Sequence, residues 1–540
     1  MTTKSVSGQF ADLDGKRKRH LERGRRCAAN SIPSILPEPD QTDGGDIPDN
    51  HQSDCARWVS GLAGTLLQST FPPGAPFASQ QLAPSLDRDE SIDDEVKQTI
   101  KDKLFLQDIA IQAALESGGT VKKNELVAGF HDAQRHAFEQ ILVCGDVCQE
   151  LTDDFRVKNY RLDNYCVLRD STGRLLQLIT RQEVDPGSFD EDELKRAELT
   201  QEKVMAKSVS ERLVKVYDRM EWHPFSELWV TVREATIDGK AVVINEFEDK
   251  VPAKWAVPYR LTSGNHYGDG LCGLNFGDIV KLDFLCNKLS DHADLASWFH
   301  LFIDPSSDLT EDDMLSTNGR VSYGRVEGGQ AADVALFKAD KVSDFTITKQ
   351  VRDDVREALG RAFLSATGSV RDSERTTQYE VAATTIQELN NGTGGVYASI
   401  ATNMQANLFA RARFEAVRQK IIRPIPGKLI GRAVQTVPLT GLAALAAQAR
   451  FQSILSFADL IQKLGPRYAA RLDEGILTRV AARYFLVNEP GLIKTDAQVK
   501  ADIDAAIQAQ NKQAAGQQAV TTLGNIAEQQ AAASAQQPAA

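Results

Sequence analysis

Apolar and polar residues recur along this 540-residue chain with two different periods, and the switches between them divide it into segments. In CARWVSGLAGTLLQSTFPPGAPF, Trp58, Leu62 and Leu66 fall every fourth residue before Pro72–Pro73–Gly74, which predicts an amphipathic helix with a sharp stop. Residues 31–53, ahead of it, hold four prolines and two adjacent glycines and should form a loop. Residues 94–150 read as helix-rich. From Asn159 to about Val184 the pattern turns to strands. The Asp170–Ser171–Thr172–Gly173 turn separates Tyr165–Leu168 from Leu175–Ile179, a hairpin signal. A charged stretch, 185–212, interrupts. Strands are expected again at Leu213–Tyr217, at Glu227–Glu234 and, across Asp238–Gly239, at Ala241–Phe247.

Residues 276–299 return to the helical period. Ile279, Leu282, Leu285 and Leu289 form one stripe, with Asp278, Asp283, Asp291 and Asp294 off it. At 1.5 Å per residue this helix is roughly 35 Å long. A short strand-like insert follows (FHLFIDPSS, GRVSYGRV, DVALFK). A second helix appears around 350–365, with Val351, Val355, Leu359 and Phe363 on one side and Asp353 off it. Helix, insert and returning helix read as a stalk with a module at its end.

Farther on, Tyr379, Ala382, Ile386 and Leu389 share one helical face, and Tyr397, Ile400, Met404 and Leu408 share another. Between them lie Gly392, Gly394 and Gly395, each costing roughly 1 kcal/mol against alanine inside a helix. The pattern predicts one long helix kinked at the glycines. IIRPIPGKLIG is a proline-punctuated connector, and alanine-rich helices are expected from about Gly441 to Phe485. Residues 501–540 are mostly Ala and Gln with no apolar stripe, so they are either weakly helical or disordered.

Composition refines this picture. Length allows several domains, and 42% hydrophobic with 25% charged residues is ordinary for a globular protein. Lys+Arg 62 against Asp+Glu 74 leaves a net charge of −12, which argues against a protein that coats nucleic acid, since such binding is driven by counterion release. It is compatible with one past which nucleic acid slides. KRKRHLERGRR, Lys16 to Arg26, reads either as a nucleic-acid arm or as a solvated basic helix face; the interrupting glutamate and glycine favour the second. The seven cysteines are scattered, odd in number and without framework spacing, as expected of reduced thiols. No apolar run of ~18 residues predicts a membrane helix, and the N-terminus has no apolar core of a secretory signal.

Three constellations approach catalytic or binding chemistry. Gly268, Gly270 and Gly273 spell G-x-G-x-x-G between a strand-like segment and a helix. That helix runs into a polar insert rather than a second parallel strand, so a flexible turn is expected and no dinucleotide. His131, His136, Cys144 and Cys148 match no zinc spacing and lie in a segment that reads as an amphipathic helix, so packed cysteines are expected and no metal. Gly427–Lys428 lacks both the following Ser or Thr and the preceding glycine of a P-loop. No catalytic residue and no cofactor is predicted, and an enzyme is not expected.

Taken in order, several stretches resemble the portal, or head-to-tail connector, proteins of short-tailed, podovirus-type bacteriophages. They are RCAANSIPSILP, YRLDNYCVLRDSTGRLLQLITRQ, HYGDGLCGLNFGDIVKLDFL, KADKVSDFTITKQVRDDVREALGRAFL, SERTTQYEVAATTIQELNNGTGGVYASIA and LTGLAALAAQARFQSILSF. The resemblance covers most of residues 20–465 and is not followed through 185–212 or the Ala/Gln tail. It implies an α+β, mostly helical portal fold. Its parts would be a wing over 1–275, stem helices at 276–299 and 346–365, and a clip at 300–345. A tunnel loop would occupy 366–377, the long kinked helix 378–430 and helices of a crown 431–500. The tail at 501–540 would be a barrel or disordered.

The same resemblance implies a homo-oligomeric ring, usually of twelve copies, at one vertex of the virion, assembled in the host cytoplasm. Its expected partners are the major capsid and scaffolding proteins, a terminase motor docking at the clip, tail adaptor and nozzle proteins, and double-stranded DNA passing through the channel. It places Arg371 and Arg375 in the tunnel loop against DNA and makes Gly392, Gly394 and Gly395 the bend between channel and wing. Asp283, Asp291, Asp294 and Asp353 become candidates for an acidic stem. Two other readings stand beside it: a head or tail adaptor without a channel, and a component of the packaging motor. The motor would need a phosphate-cradling loop, which the sequence lacks.

Overall fold

The computed structural model describes residues 4–39, 50–72, 77–82, 94–117, 129–200, 204, 208, 212–237, 239–297, 299–303, 326–327, 330–331, 334–338, 342–363, 396–423, 434–438 and 463. The fold is α+β and mostly helical. Two units can be separated, one built from 1–77, 111–419 and 440–442, the other from 78–110, 420–439 and 443–540.

The first unit opens with α1 (Val6–Lys16) and α2 (Lys18–Ala29), followed by α3 (Asp54–Thr70). Trp58, Leu62 and Leu66, the stripe read from the sequence, are all buried. In the second unit, β1 (Ala78–Leu82) precedes α4 (Asp94–Ser117), a helix that continues across the division. Asp108 of α4 accepts from the Gln80 backbone N–H at 2.9 Å and from its side-chain amide at 2.7 Å.

Returning to the first unit, α5 (Phe130–Cys144) packs against α3. Phe130, Ala133, Ala137, Phe138 and Ile141 of α5 are buried, and Phe138 joins Phe71, Phe77, Phe130 and Phe409 in a cluster of rings 5.0–6.4 Å apart. Aromatic pairs at such distances add about 0.5–1.5 kcal/mol beyond area burial.

Then come β2 (Asp146–Leu151), β3 (Val157–Tyr160), β4 (Tyr165–Arg169) and β5 (Leu175–Val184). The short helix α6 (Glu191–Arg196) leads to β6 (Val214–His223), β7 (Leu228–Ile237), β8 (Lys240–Asp249) and β9 (Lys254–Pro258). Strands β4 to β8 form a five-stranded antiparallel meander, and β3-β2-β9 form a separate three-stranded sheet. The hairpin expected at 170–173 is present, with Gly173 at φ +85°, and Gly239 at φ +78° starts β8. Both need the left-handed region that glycine enters at no steric cost.

The charged stretch 185–212 is not merely an interruption. Phe189, Leu194, Ala197 and Val204 pack on Val216, Ala235 and Ile244 of the meander, while a capping box from Asp190 and Glu193 starts α6. Glu191, Asp192, Lys195 and Arg196 face outward, whereas Glu193 is buried and accepts from Arg233 and Asn245 beside a narrow apolar seam that periodicity over so short a helix does not reveal.

After α7 (Leu271–Leu274), α8 (Phe276–Ser297) leads into β10 (Phe299–Ile303), β11 (Val326–Glu327), β12 (Gln330–Ala331) and β13 (Val334–Lys338). Strands β10 and β13 pair antiparallel, and α9 (Val342–Ala362) returns against α8. α10 (Val396–Arg418) then buries Ile400, Met404 and Leu408, as its spacing predicts. In the second unit β14 (Val434–Pro438) pairs antiparallel with β1, a partnership across some 350 residues that no local pattern signals.

Candidate functional site

The α8–α9 pair with its small β insert is the element that a local reading of function would choose first. Ile279, Leu282 and Leu289 of the α8 stripe are buried within the chain itself. Leu285 of the same stripe is half-buried, so the chain itself covers most of it. A different face of α8 is left open. Val280 is 41% and Phe284 56% exposed, four residues apart and opposite the buried stripe, and on α9 Phe345 and Ile347 are also exposed. The pair is anchored to α3 at its base, where Phe363 stacks on Trp58 at 6.1 Å and Arg356 binds Asp54 at 2.6 Å.

The acidic candidates are not gathered in one place. Asp283 accepts from the His51 backbone N–H at 2.7 Å, so it holds the loop before α3. Asp291 pairs with Lys288 at 2.7 Å, and that hydrogen bond lowers its pKa. Asp353 accepts from Arg352 at 2.9 Å. Asp294 is exposed near the far end of α8. Arg371, Arg375, Gly392, Gly394 and Gly395 lie outside the described residues, as does Gly427–Lys428.

The glycine motif is neither flexible nor open. A Cβ on Gly268 would stand 2.5 Å from the Gly145 carbonyl oxygen, and one on Gly270 2.7 Å from that of Leu142. Both glycines are buried where this turn abuts the C-terminal end of α5, with Tyr259 donating to the Gly145 carbonyl at 2.8 Å. Close backbone approach, not mobility, explains them. On α5, Cys144 is buried and its thiol is raised by burial, while His136 is exposed and contacts Glu139 at 3.2 Å. Among the described residues no three His, Cys, Asp or Glu side chains are grouped as a metal would require.

The basic segment is not one uniform solvated face. Arg17, at the α1–α2 corner, is only 4% exposed and donates to the carbonyls of Leu162, Asp163 and Tyr165. Arg23 pairs with Asp269 and donates to the Gly268 carbonyl at 3.2 Å, and Arg26 lies over the Phe276 ring at 4.7 Å. Lys16, Lys18 and Arg19 remain exposed. A cleft of about 490 Å³ opens between this corner and the 264–269 loop. Sequence alone marks the cations but not which of them turn inward.

Comparison with known proteins extends over most of the chain. Residues 3–490 match the family described as bacteriophage head to tail connecting protein, so the charged 185–212 stretch falls inside the matched span. The portal protein of Enterobacteria phage T3 is 24% identical over 449 residues, 80% of this chain and 77% of that protein. The portal protein of Pseudomonas phage phiKMV is 26% identical over 462 residues, 84% of each. A chain in the neck of an empty GTA particle with C6 symmetry aligns over 75% of this chain and 86% of its own, at 10% identity and a TM-score of 0.36. The chain belongs to the bacteriophage head-to-tail connecting protein family.

Proposed function

We propose that this protein forms the portal ring joining the head of a short-tailed phage to its tail, with the double-stranded genome passing through its centre. The observation that carries the reading is the family match over residues 3–490. Exposed apolar side chains on α8 and α9 support it physically, because Val280, Phe284 and Ile347 are left for a neighbouring copy to cover. In this reading α8 and α9 are the stem, the β10–β13 insert is the clip, and 366–377 is the tunnel loop carrying Arg371 and Arg375. The glycines at 392, 394 and 395 bend the long helix from channel to wing, and 431–500 forms the crown.

Twelve copies, contacts with capsid and scaffolding proteins, a terminase and later tail proteins at the clip, and assembly in the host cytoplasm belong to the same proposal. With −12 on each chain, carboxylates facing the bore would repel phosphates within a Debye length of about 8 Å and leave the duplex no deep well. Asp291, Asp294 and Asp353 are exposed and so the best placed of the candidates for that role, whereas Asp283 is half-buried against the His51 backbone. Negative-stain electron microscopy of the purified protein tests the proposal. Rings with a central hole are expected; a protein that stays monomeric at all concentrations would overturn it in favour of an adaptor without a channel.

A further inference from the structure

The corner between α1 and α2 sets cations in two opposite directions. Arg17 points inward, and its guanidinium is satisfied by Asp14 and three backbone carbonyls. Lys16 and Arg19, on either side, are thereby left exposed at the mouth of the cleft, and among the described residues neither has an ion pair within 4.0 Å. The remaining lining charges are Arg17, paired with Asp14, and Arg23 and Asp269, which pair with each other. The cleft therefore presents two exposed cations, Lys16 and Arg19, in a chain whose total is −12, with Asp12 the carboxylate that acts on Lys16 from farther off.

Its other wall adds a donor beside the paired Asp269 carboxylate. His266 accepts the Arg169 backbone N–H at Nδ1, 3.2 Å away, so its neutral ring carries the proton on Nε2 and is a hydrogen-bond donor. His266 is exposed and lines the cleft. His20 stacks on Tyr267 at 4.8 Å and forms an aromatic side of the same space. Burial foremost, together with the Arg23 charge, brings His20 down to about 4, so it is neutral and adds no charge near pH 7. A volume of about 490 Å³ lies within the range of about 300–1,000 Å³ usual for small-ligand sites.

We infer that the cleft between the α1–α2 corner and the 264–269 loop is a phosphate-binding site, with Lys16, Arg19 and His266 as its donors. Donors on two walls suit a tetrahedral group that offers three or more oxygens better than a planar carboxylate that offers two. A phosphodiester of duplex DNA and free inorganic phosphate share that chemistry. The site stands on its own geometry and does not require the portal reading, so rings form whether or not it is filled.

The test uses the full assembled chain at low salt. Fluorescence anisotropy follows a labelled short DNA duplex, and calorimetry follows inorganic phosphate. Lys16→Gln/Arg19→Gln should weaken binding by about tenfold or more and lower the salt slope for duplex by about 2. Lys18→Gln, an exposed cation of the same segment outside the cleft lining, should change affinity far less. Duplex binding assigns the site to nucleic acid, and phosphate binding alone assigns it to the free ion; either supports it. The charge-conserving Lys16→Arg/Arg19→Lys chain should retain binding. In the wild type, bound phosphate should shield Lys16 from amine acylation, read by mass spectrometry without any variant. Equal affinity in wild type and the glutamine double variant, an equal loss in Lys18→Gln, or binding of poly-glutamate with neither phosphate nor duplex would overturn the inference.

Discussion

Lys254 of β9 places its Nζ 2.6 Å from Asp218 Oδ2 of β6, and so joins the three-stranded sheet to the five-stranded one through a buried ion pair. Both side chains are at most 3% exposed, and the ammonium also donates to Thr180 Oγ1 at 2.7 Å. Arg233 donates to the other Asp218 oxygen at 2.9 Å. Burial alone would raise the Asp218 pKa, but the Lys254 and Arg233 charges outweigh it and hold the carboxyl far below its ordinary range. Lys254→Met should cost about 3 kcal/mol, because it removes one partner and leaves Asp218 buried with Arg233 alone. Because its folded pKa is depressed, the contribution of Asp218 is present above about pH 4 and is lost as acid titrates it. Denaturant unfolding of both proteins at pH 7 measures the loss, and a change below 1 kcal/mol would refute the latch.

Asp146, at the start of β2, has the opposite balance. Burial pushes its carboxyl up to about 6 despite Arg169 and a 3.0 Å hydrogen bond from the Tyr165 hydroxyl. A carboxyl raised on folding favours the native state only while protonated: its contribution is full below about pH 4 and is lost as the pH rises through about 6. Asp146→Asn should therefore stabilise the protein by roughly 1–3 kcal/mol at pH 8, with the gain vanishing near pH 4. Melting curves across that range would contradict this if the variant lost equal stability at both ends.

Phe284→Glu should separate folding from assembly. The side chain is 56% exposed on the single chain, so far-UV circular dichroism of the unassembled protein should be unchanged. A charge buried at each contact between copies would cost about 3 kcal/mol, and sedimentation should show rings giving way to monomers. Rings of normal stability would mean that this face of α8 points away from every neighbour.

Replacing Gly392, Gly394 and Gly395 with alanine should raise helix propensity by roughly 3 kcal/mol in total. Assembly is nevertheless expected to suffer if, as proposed, the helix bends at these glycines to run from channel to wing. Electron microscopy and plaque counts of the triple variant provide the check: normal rings and full infectivity would show that the glycines do not make a required bend.

Arg371→Gln with Arg375→Gln should leave ring formation and melting temperature nearly unchanged while reducing packaged or retained DNA. The alternative role is that both arginines pair with Asp372 and Glu374 or cap the helix expected from near Thr376, and such exposed pairs contribute only ~0–1 kcal/mol. Particles with normal DNA content would leave only that role.

What the sequence determined by itself was local and periodic. The stripe of Trp58, Leu62 and Leu66, the 170–173 hairpin, the paired long helices around a β insert, and the face of Ile400, Met404 and Leu408 are all written within a few turns of chain. They appear in the structure because each depends on burial of neighbours three or four apart, or two apart in strands. The ordered series of portal-like stretches from RCAANSIPSILP to LTGLAALAAQARFQSILSF likewise carried the family. Tertiary structure alone decided which partners meet across distance. It paired β1 with β14, turned Arg17 inward and left Lys16 and Arg19 outward, and pressed Gly268 against Gly145. It also set Lys254 beside Asp218. The residue types there are unremarkable in sequence, since a lysine in a strand normally points to water. Only the approach of a second sheet removes that water and makes the charge depend on one particular carboxylate.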